Sequence, residues 1–133
     1  MKEHYKKMIL GSEIRVEKAL SEQILDKKNE YYGGFYDEYG LVEAKKAIYH
    51  VTTMTAVFCN SESRFYQNKD LSCRINLSLD YIASVQHENG LFDFINCNFF
   101  STPDTAFCTK RLLPAYIWLS RHVESYEKDS IEL

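Results

Sequence analysis

The sequence predicts an all-α fold of stacked antiparallel helical hairpins, with about four main helices. Two observations support this prediction. Apolar residues recur at helical spacing through most of the chain, with charged residues between them. Strand-like alternation is confined to the stretch LFDFIN, which is too short and isolated to form a sheet. The predicted helices must therefore bury one another's apolar faces.

The first two helices are predicted from two apolar rows that a glycine-containing segment separates. Helix one covers residues 2 to about 25, and its row is Tyr5, Met8, Ile9, Val16, Ala19, Leu20 and Ile24. Helix two covers residues 41 to about 60, and its row is Leu41, Ala44, Ile48, Val51, Thr55 and Phe58. The charged and aromatic segment DKKNEYYGGFYDEYG between them is predicted to be a loop.

Helix three is predicted to follow the turn SESRFYQNKD. Asp70 can cap this helix, which continues to His87. Its apolar row is Leu71, Ile75, Leu79, Ile82 and Val85 or Gln86. Gly90 or Asn89 suits the left-handed residue that follows a helix end.

Helix four is predicted to begin in the sequence STPD. Ser101 or Thr102 can cap it, Pro103 suits the first turn, and Asp104 favours the positive end of the helix dipole. Its apolar row is Phe107, Leu112, Ala115, Ile117, Trp118, Leu119 and His122. Pro114 should bend this helix or start it afresh. Residues 1–125 then form a single helical domain, and the polar tail 126–133 is predicted to fray.

Composition and charge exclude several classes of function. The chain has 133 residues, 45% apolar and 26% charged, which is typical of one globular domain and not of a disordered protein. Its 16 basic and 19 acidic residues give a formal charge of −3 without a long basic block, so no nucleic-acid partner is expected. The chain also has no signal-peptide core and no stretch long enough to span a bilayer. We therefore expect no membrane partner and a cytoplasmic location.

The cysteine and histidine patterns argue against metal sites and cofactors. Cys59, Cys73, Cys97 and Cys108 form no C-x-x-C pair, and we expect free, mostly buried thiols. The four histidines form no H-x-x-x-H motif, and the chain has neither an EF-hand loop nor a glycine-rich phosphate loop. No metal and no cofactor is predicted.

A short internal echo suggests a helical repeat. Gly34-Phe35-Tyr36-Asp37 and Gly90-Leu91-Phe92-Asp93 both read glycine, apolar, aromatic, aspartate, and both stand after one helix and before another. A helix, such a turn and a second helix form a hairpin, and stacked hairpins bury one another as repeats do. The loops of the stack would share one rim, where aromatic residues can line a common surface.

The second of these loops resembles a known protein family. The stretch SLDYIASVQHENGLFDF is similar to a turn of α/α-toroid proteins, in which a helix ends in glutamine, a polar pair, glycine and an aromatic residue. The following DFINCNFFSTPDTAF resembles bacterial proteins with a heparinase-like α/α toroid, which have an asparagine-aromatic stretch before a Ser-x-x-Asp-Thr-Ala-Phe helix start. The resemblance covers about residues 34–119 and is strongest at 89–107.

The resemblance implies a function in carbohydrate chemistry. Such toroids typically cleave uronic-acid-containing glycans by β-elimination, or hydrolyse glycosidic bonds. A closed toroid needs many more helices than four, so the chain is expected to be a partial toroid and the N-terminal portion of a longer protein. No complete active site is expected in it. An incomplete toroid leaves apolar helix faces uncovered, which favours a homo-oligomer or contact with the rest of a longer chain.

Polar and aromatic residues of the two loops are the candidates for binding an oligosaccharide. They are Tyr36, Tyr39, Asp93, Asn96, Asn98 and Asp104. Tyrosine rings can stack on sugar CH groups, and amides or carboxylates can bond hydroxyl groups. A lyase also needs a base and a group that neutralises the uronate, but no catalytic residue is assigned.

Each candidate also has a structural interpretation. Asp104 can stabilise a helix start, Asp37 and Asp93 can accept bonds from loop amides, and His87 can end a helix. The loop phenylalanines can plug the end of the hairpin stack. Packing within helices is expected for Tyr49, Tyr81, Tyr116 and Trp118. The alternative function is a non-catalytic interaction module that self-associates, or binds a partner protein, through an exposed apolar face.

Overall fold

The computed structural model describes the backbone of residues 2–95 and 98–131, and the side chains of residues 2–95 and 98–122. Four α-helices follow one another along the chain. They are α1 (Lys2–Glu22), α2 (Ala44–Phe58), α3 (Lys69–Ser84) and α4 (Thr102–Ile131). Within the described ranges there is no strand, and β-pairing is limited to two isolated bridges, Gln23 with Phe35 and Phe94 with Asn98. The predicted all-α fold is confirmed.

The first two helices form an antiparallel hairpin. At one end, Lys46 Nζ near the start of α2 lies 2.8 Å from Glu22 Oε2 at the end of α1. At the other end, Asn60 Nδ2 after α2 donates to the Tyr5 hydroxyl near the start of α1 at 3.0 Å. The ends therefore meet in opposite order, as a hairpin requires.

Helix α2 is central and packs against each of the other three helices. The Arg111 guanidinium lies 3.9 Å from the Tyr49 ring centroid, and the His122 and Phe58 rings are 5.4 Å apart, so α2 and α4 run in the same direction. Helix α3 lies between them in sequence and returns in the opposite direction. The core is built from side chains on all three of these helices and α1, including Val16, Ile48, Val51, Met54, Leu71, Ile75 and Cys108. Helices α1, α3 and α4 thus each pack on α2, and in the described part of the chain α3 and α4 pack on α2 and not on each other.

Several helix ends differ from the predicted ones. Helix α3 begins at Lys69 because Asn68, with extended backbone, accepts the Leu71 N–H at 2.9 Å through its side chain. The prediction that Asp70 is the cap is wrong, since Asp70 lies inside the first turn. Helix α3 also ends at Ser84, before His87. At the start of α4 the Ser101 hydroxyl accepts the Asp104 N–H at 3.3 Å, which confirms Ser101 as a cap.

Helix α4 departs from its prediction in two ways. It continues through Pro114 to Ile131 as one helix, so the expected restart does not occur. Its predicted apolar row is also only partly buried. Ala115 of this row is buried, whereas Phe107 is 71% exposed and Trp118 is 43% exposed. The prediction that Trp118 is a core residue is wrong, and Tyr116, at 67% exposure, likewise lies outside the core.

The chain does contain a repeated turn, but at residues other than those predicted. Residues 37–41 and 87–91 form the same turn, with sequences DEYGL and HENGL. In both turns the first N–H donates to the fifth carbonyl at 2.9 Å, and the fourth N–H returns to the first carbonyl at 3.1 and 2.8 Å. The fourth residues, Gly40 and Gly90, have φ of +76° and +83°, which glycine adopts without strain. The matching of Gly34 with Gly90 is therefore wrong, and Gly90 belongs to this turn and not to the end of α3.

A buried polar cluster ties the first loop to α3. The Gln23 side-chain amide donates to Ser78 Oγ at 2.7 Å and to the Arg74 carbonyl at 3.0 Å. Ser78 Oγ in turn lies 3.2 Å from the Gly33 carbonyl. Gly33 has φ of +92°, and a Cβ there would lie 2.3 Å from the Leu77 carbonyl oxygen. The loop backbone and α3 are thus in direct contact.

The cysteines that the structure describes are free thiols. Cys108 is buried, Cys59 is half-buried and Cys73 is exposed, so the expectation of mostly buried thiols holds for only part of the set. Burial raises the pKa of both Cys59 and Cys108. Cys97 lies outside the described residues. None of the helices in the described part of the chain is long and apolar enough to cross a membrane.

Candidate functional site

The second loop is held together by the polar residues that the sequence singles out. The Asp104 carboxylate accepts hydrogen bonds from the Asn98 side-chain amide and from the Ser101 hydroxyl, both at 2.6 Å. Asn98 Nδ2 also donates to Ser101 Oγ at 2.9 Å. Two predicted site residues, Asn98 and Asp104, are therefore in direct contact. Their hydrogen bonds stabilise the start of α4. Asn96 lies outside the described residues.

Asp93 has a similar structural role in the same loop. Its Oδ1 accepts the Phe100 N–H at 2.9 Å, and its Oδ2 lies 2.9 Å from His87 Nε2. The Phe100 ring stacks on His87 with centroids 4.3 Å apart, and Phe100 has φ of +50°. The Phe100 N–H, and after it His87, hold the pKa of Asp93 below its usual value. Asp93 remains ionised and holds Phe100 in its left-handed conformation.

The loop phenylalanines divide into two groups. Phe92 and Phe94 are buried and close the end of the helical core, as predicted. Phe99 and Phe100 are 64% and 53% exposed, so they do not plug the stack. The loop accordingly presents two aromatic side chains to solvent beside His87.

Tyr36 and Tyr39 lie on the first loop in different environments. The Tyr36 hydroxyl accepts a hydrogen bond from Asn29 Nδ2 at 2.9 Å, and its carbonyl accepts one from Lys46 Nζ. Tyr39 is 79% exposed at the tip of the turn. Asp37 supports that turn, because its Oδ1 accepts the backbone N–H groups of Tyr39 and Leu41, each at 2.8 Å. Tyr39 is therefore the more exposed of the two tyrosines, since Tyr36 is 41% exposed.

The two loops meet at a cavity of about 370 Å³, which we call the rim cavity. It is lined by Asp37, Tyr39, Leu41, Glu43, Lys45, Phe94, Ile95 and Asp104. The Ile95 N–H donates to Glu43 Oε2 at 3.4 Å and so links the loops across the cavity. Tyr39 and Asp104 are the two predicted site residues that reach it. Tyr36, Asp93 and Asn98 do not line it.

Sequence reasoning missed Lys45 and Glu43. Glu43 is the last residue before α2 and Lys45 lies in its first turn. The repeated turn could have indicated Glu43 as a site residue. An acidic residue stands two positions after the leucine of each turn: Glu43 after Leu41, and Asp93 after Leu91. Lys45 and Asp104 carry opposite charges and both line the rim cavity.

His50 of α2 packs against the first loop and is partly buried. Its ring is 4.6 Å from the buried Phe35 ring, and its Nε2 is 3.8 Å from Glu22 Oε2. Burial lowers the pKa of His50, and the charge of Lys46 lowers it further, against the opposing effect of Glu22. The folded protein therefore holds this imidazole neutral.

We expect the melting temperature to fall as the pH decreases below about 6.5, the ordinary pKa of histidine. In that range the unfolded chain binds a proton at His50 that the folded chain does not bind, so stability is lost. Melting curves at about pH 7.5 and about pH 5.5 should show a smaller decrease for His50→Gln than for the wild type. Equal decreases in the two proteins would contradict this role of His50.

A comparison of the chain with protein-family models, with curated proteins and with solved structures finds no match. The described residues also contain no group of three or more His, Cys, Asp or Glu side chains that could hold a metal ion. The arrangement that remains is chemically simple. It is an aromatic ring, an ammonium group and carboxylates around the rim cavity, to which the second loop contributes Phe94, Ile95 and Asp104.

Proposed function

We propose that this chain is a glycan-binding helical part of a carbohydrate-active α/α-toroid protein, with the rim cavity as its binding site. The observation that carries the proposal is the meeting of the two loops. Tyr39 from the first loop and Asp104 from the second, both predicted to contact substrate, line the same cavity. Both loops also lie at one end of a set of packed helices, as the loops of helical repeats do.

The chemistry of the rim cavity supports a sugar ligand. The exposed Tyr39 ring offers an apolar face for the CH groups of a sugar ring. Lys45 is the one cation at the rim cavity among the described residues and can pair with an acidic group of the glycan, while the three carboxylates there, Asp37, Glu43 and Asp104, can accept bonds from its hydroxyl groups. These groups bind and orient a ligand. For an acidic polysaccharide, we propose that β-elimination or hydrolysis uses residues that this chain does not supply.

Binding of an acidic oligosaccharide is expected to weaken about tenfold, or about 1.4 kcal/mol, in Tyr39→Ala. The loss reflects removal of the only exposed tyrosine face at the rim cavity among the described residues. Isothermal titration calorimetry with a panel of acidic oligosaccharides measures it. Tyr31→Ala is the matched control, since Tyr31 is on the same loop and 38% exposed but does not line the cavity.

Two results would contradict the glycan proposal. One is that no oligosaccharide of the panel binds the wild type. The other is that Tyr39→Ala binds as tightly as Tyr31→Ala, which would place the ligand elsewhere.

The exposed surface of α4 supports a second candidate, a non-catalytic interaction module. Leu113, Tyr116 and Ile117 lie on one side of α4 at helical spacing and are 54%, 67% and 38% exposed. Large apolar side chains gathered on one exposed helix mark association sites on proteins. This candidate needs no substrate in the rim cavity, and its partner is another protein or a second copy of the chain.

A further inference from the structure

Helices α2 and α4 border a cavity of about 500 Å³, which we call the α2–α4 cavity. All of its lining residues belong to these two helices, and on α2 they run from Lys45 to Thr53. Clefts that bind small molecules have volumes of roughly 300–1,000 Å³. The α2–α4 cavity therefore has the size of a small-molecule site.

The α2–α4 cavity is basic. Lys45, Lys110 and Arg111 line it, and none of the three forms a salt bridge with another described residue. Asp104 is the one carboxylate that lines the cavity among the described residues, and its Oδ2 already accepts two hydrogen bonds. Three unpaired cations around one opening repel one another, so an anionic ligand would stabilise them.

Arg111 is held in a position that suits anion binding. Its guanidinium carbon lies 3.9 Å from the centroid of the Tyr49 ring. The Thr52 hydroxyl donates to the Arg111 carbonyl at 3.3 Å, which fixes α4 against α2 at this residue. Stacking uses the face of the guanidinium and leaves the N–H groups at its edge free for paired hydrogen bonds to a carboxylate or a phosphate. Because stacking already restricts the side chain, binding an anion costs less of its conformational entropy.

An uncharged, partly aromatic region of the cavity lies beyond these cations. On α4, Pro114 and Trp118 follow Arg111 and line the same cavity. Trp118 is 43% exposed, so its ring can bury an aromatic ligand by stacking. From Arg111 to Trp118 the helix rises ~10 Å at ~1.5 Å per residue, a length that two fused aromatic rings and an acidic group together cover. The ligand thus needs both an acidic group and a planar apolar body.

We propose that the α2–α4 cavity binds a small aromatic molecule that carries a carboxylate or a phosphate. The acidic group pairs with the N–H edge of Arg111, with the two lysines beside it, and the ring lies against Trp118. This site is distinct from glycan binding at the rim cavity and does not depend on it. The two cavities are neighbours, since Lys45 and Asp104 line both. Those two residues are therefore left unchanged in the test.

Trp118 reports binding at the site because it is the only tryptophan of the chain. Its indole N–H gives a single resonance in an amide correlation spectrum. Four probes share a naphthalene ring and differ in the attached group: naphthoate, naphthyl phosphate, naphthalenemethanol and naphthylmethylamine. We expect both anions to shift the indole resonance and to bind at least about tenfold more tightly than the alcohol, and the amine not to bind. The more tightly bound anion identifies the acidic group.

Matched variants locate the acidic group and the ring. Arg111→Gln should lower the affinity for naphthoate about tenfold and leave the affinity for naphthalenemethanol unchanged, which a loss of folding would not do. Arg15→Gln is the control, because Arg15 is also exposed but lies on α1 outside the cavity. Trp118→Ala, followed by calorimetry, should weaken binding of both compounds. Tyr39→Ala, at the rim cavity, should weaken neither.

Four outcomes would overturn the proposal. The first is that neither anion shifts the indole resonance, and the second is that the anions bind no more tightly than the alcohol. The third is that Arg15→Gln weakens naphthoate binding as much as Arg111→Gln does, which would reflect overall charge. The fourth is that light scattering shows the wild-type chain to be a dimer that Arg111→Gln dissociates. In that case an acidic side chain of a second copy occupies the cavity.

Discussion

Phe35→Ala is expected to lower the free energy of unfolding by about 3–5 kcal/mol, the usual cost of removing a fully buried phenylalanine side chain. Phe35 is 0% exposed although it belongs to a loop, and its ring packs on His50 of α2. Its backbone also bridges to Gln23 at the end of α1. Removing the ring leaves a cavity where the first loop meets the central helix. Urea unfolding followed by circular dichroism measures the change.

The control for Phe35→Ala is another aromatic residue of the same loop. Tyr39 is 79% exposed, so Tyr39→Ala should change the unfolding free energy by less than about 0.5 kcal/mol. Comparing the two unfolding free energies distinguishes Phe35, which anchors the loop to the core, from Tyr39, which the loop exposes to solvent. If the two variants were equally stable, the loop would not be anchored through Phe35.

Gly33→Ala is expected to cost about 2–5 kcal/mol, the sum of ~1–2 kcal/mol of backbone strain and ~1–3 kcal/mol of overpacking. The strain arises because φ is +92° at Gly33. The overpacking arises because the new Cβ would lie 2.3 Å from the Leu77 carbonyl oxygen, which belongs to α3 backbone and cannot move alone. Chemical denaturation again provides the measurement.

Substitutions at two other glycines distinguish the backbone strain from the overpacking in Gly33→Ala. Gly40 has φ of +76°, but a Cβ added there would have nothing within 4 Å, so Gly40→Ala should cost only about 1–2 kcal/mol of left-handed strain. Gly11 lies in α1 with open space around it, and Gly11→Ala should stabilise the protein by about 0.8–1 kcal/mol. A loss for Gly33→Ala no greater than that for Gly40→Ala would mean that the loop and α3 separate easily.

The helices could be predicted from sequence because their apolar spacing is a local property. Ile48, Val51 and Thr55 repeat with the helical period and are buried as predicted. The same period also marks Phe107 and Trp118, which are exposed. Periodicity shows that a helix has an apolar side, but not whether another helix covers it. Burial on α4 depends on its neighbours, which the sequence of α4 does not specify.

The candidate site was predictable only in part. The bonds of Asp93 and Asp37 to loop amides follow from the short, polar side chain of aspartate, and the structure confirms them. The cap at Asn68 was missed because Asp70 is an equally good capping residue, and only the backbone conformation selects between them. Lys45 was missed because its position beside Asp104 depends on how α4 packs on α2.

The central position of α2 has a consequence for how the protein opens. Because α1, α3 and α4 all pack on α2, separating α2 from the fold exposes apolar surface on every other helix. Its opening is then nearly equivalent to global unfolding. The first two turns of α1 bury no side chain, so they can open at little cost while the rest stays folded. The chain therefore combines one cooperative unit around α2 with a terminal segment that contacts this unit through the hydrogen bond from Asn60 to the Tyr5 hydroxyl.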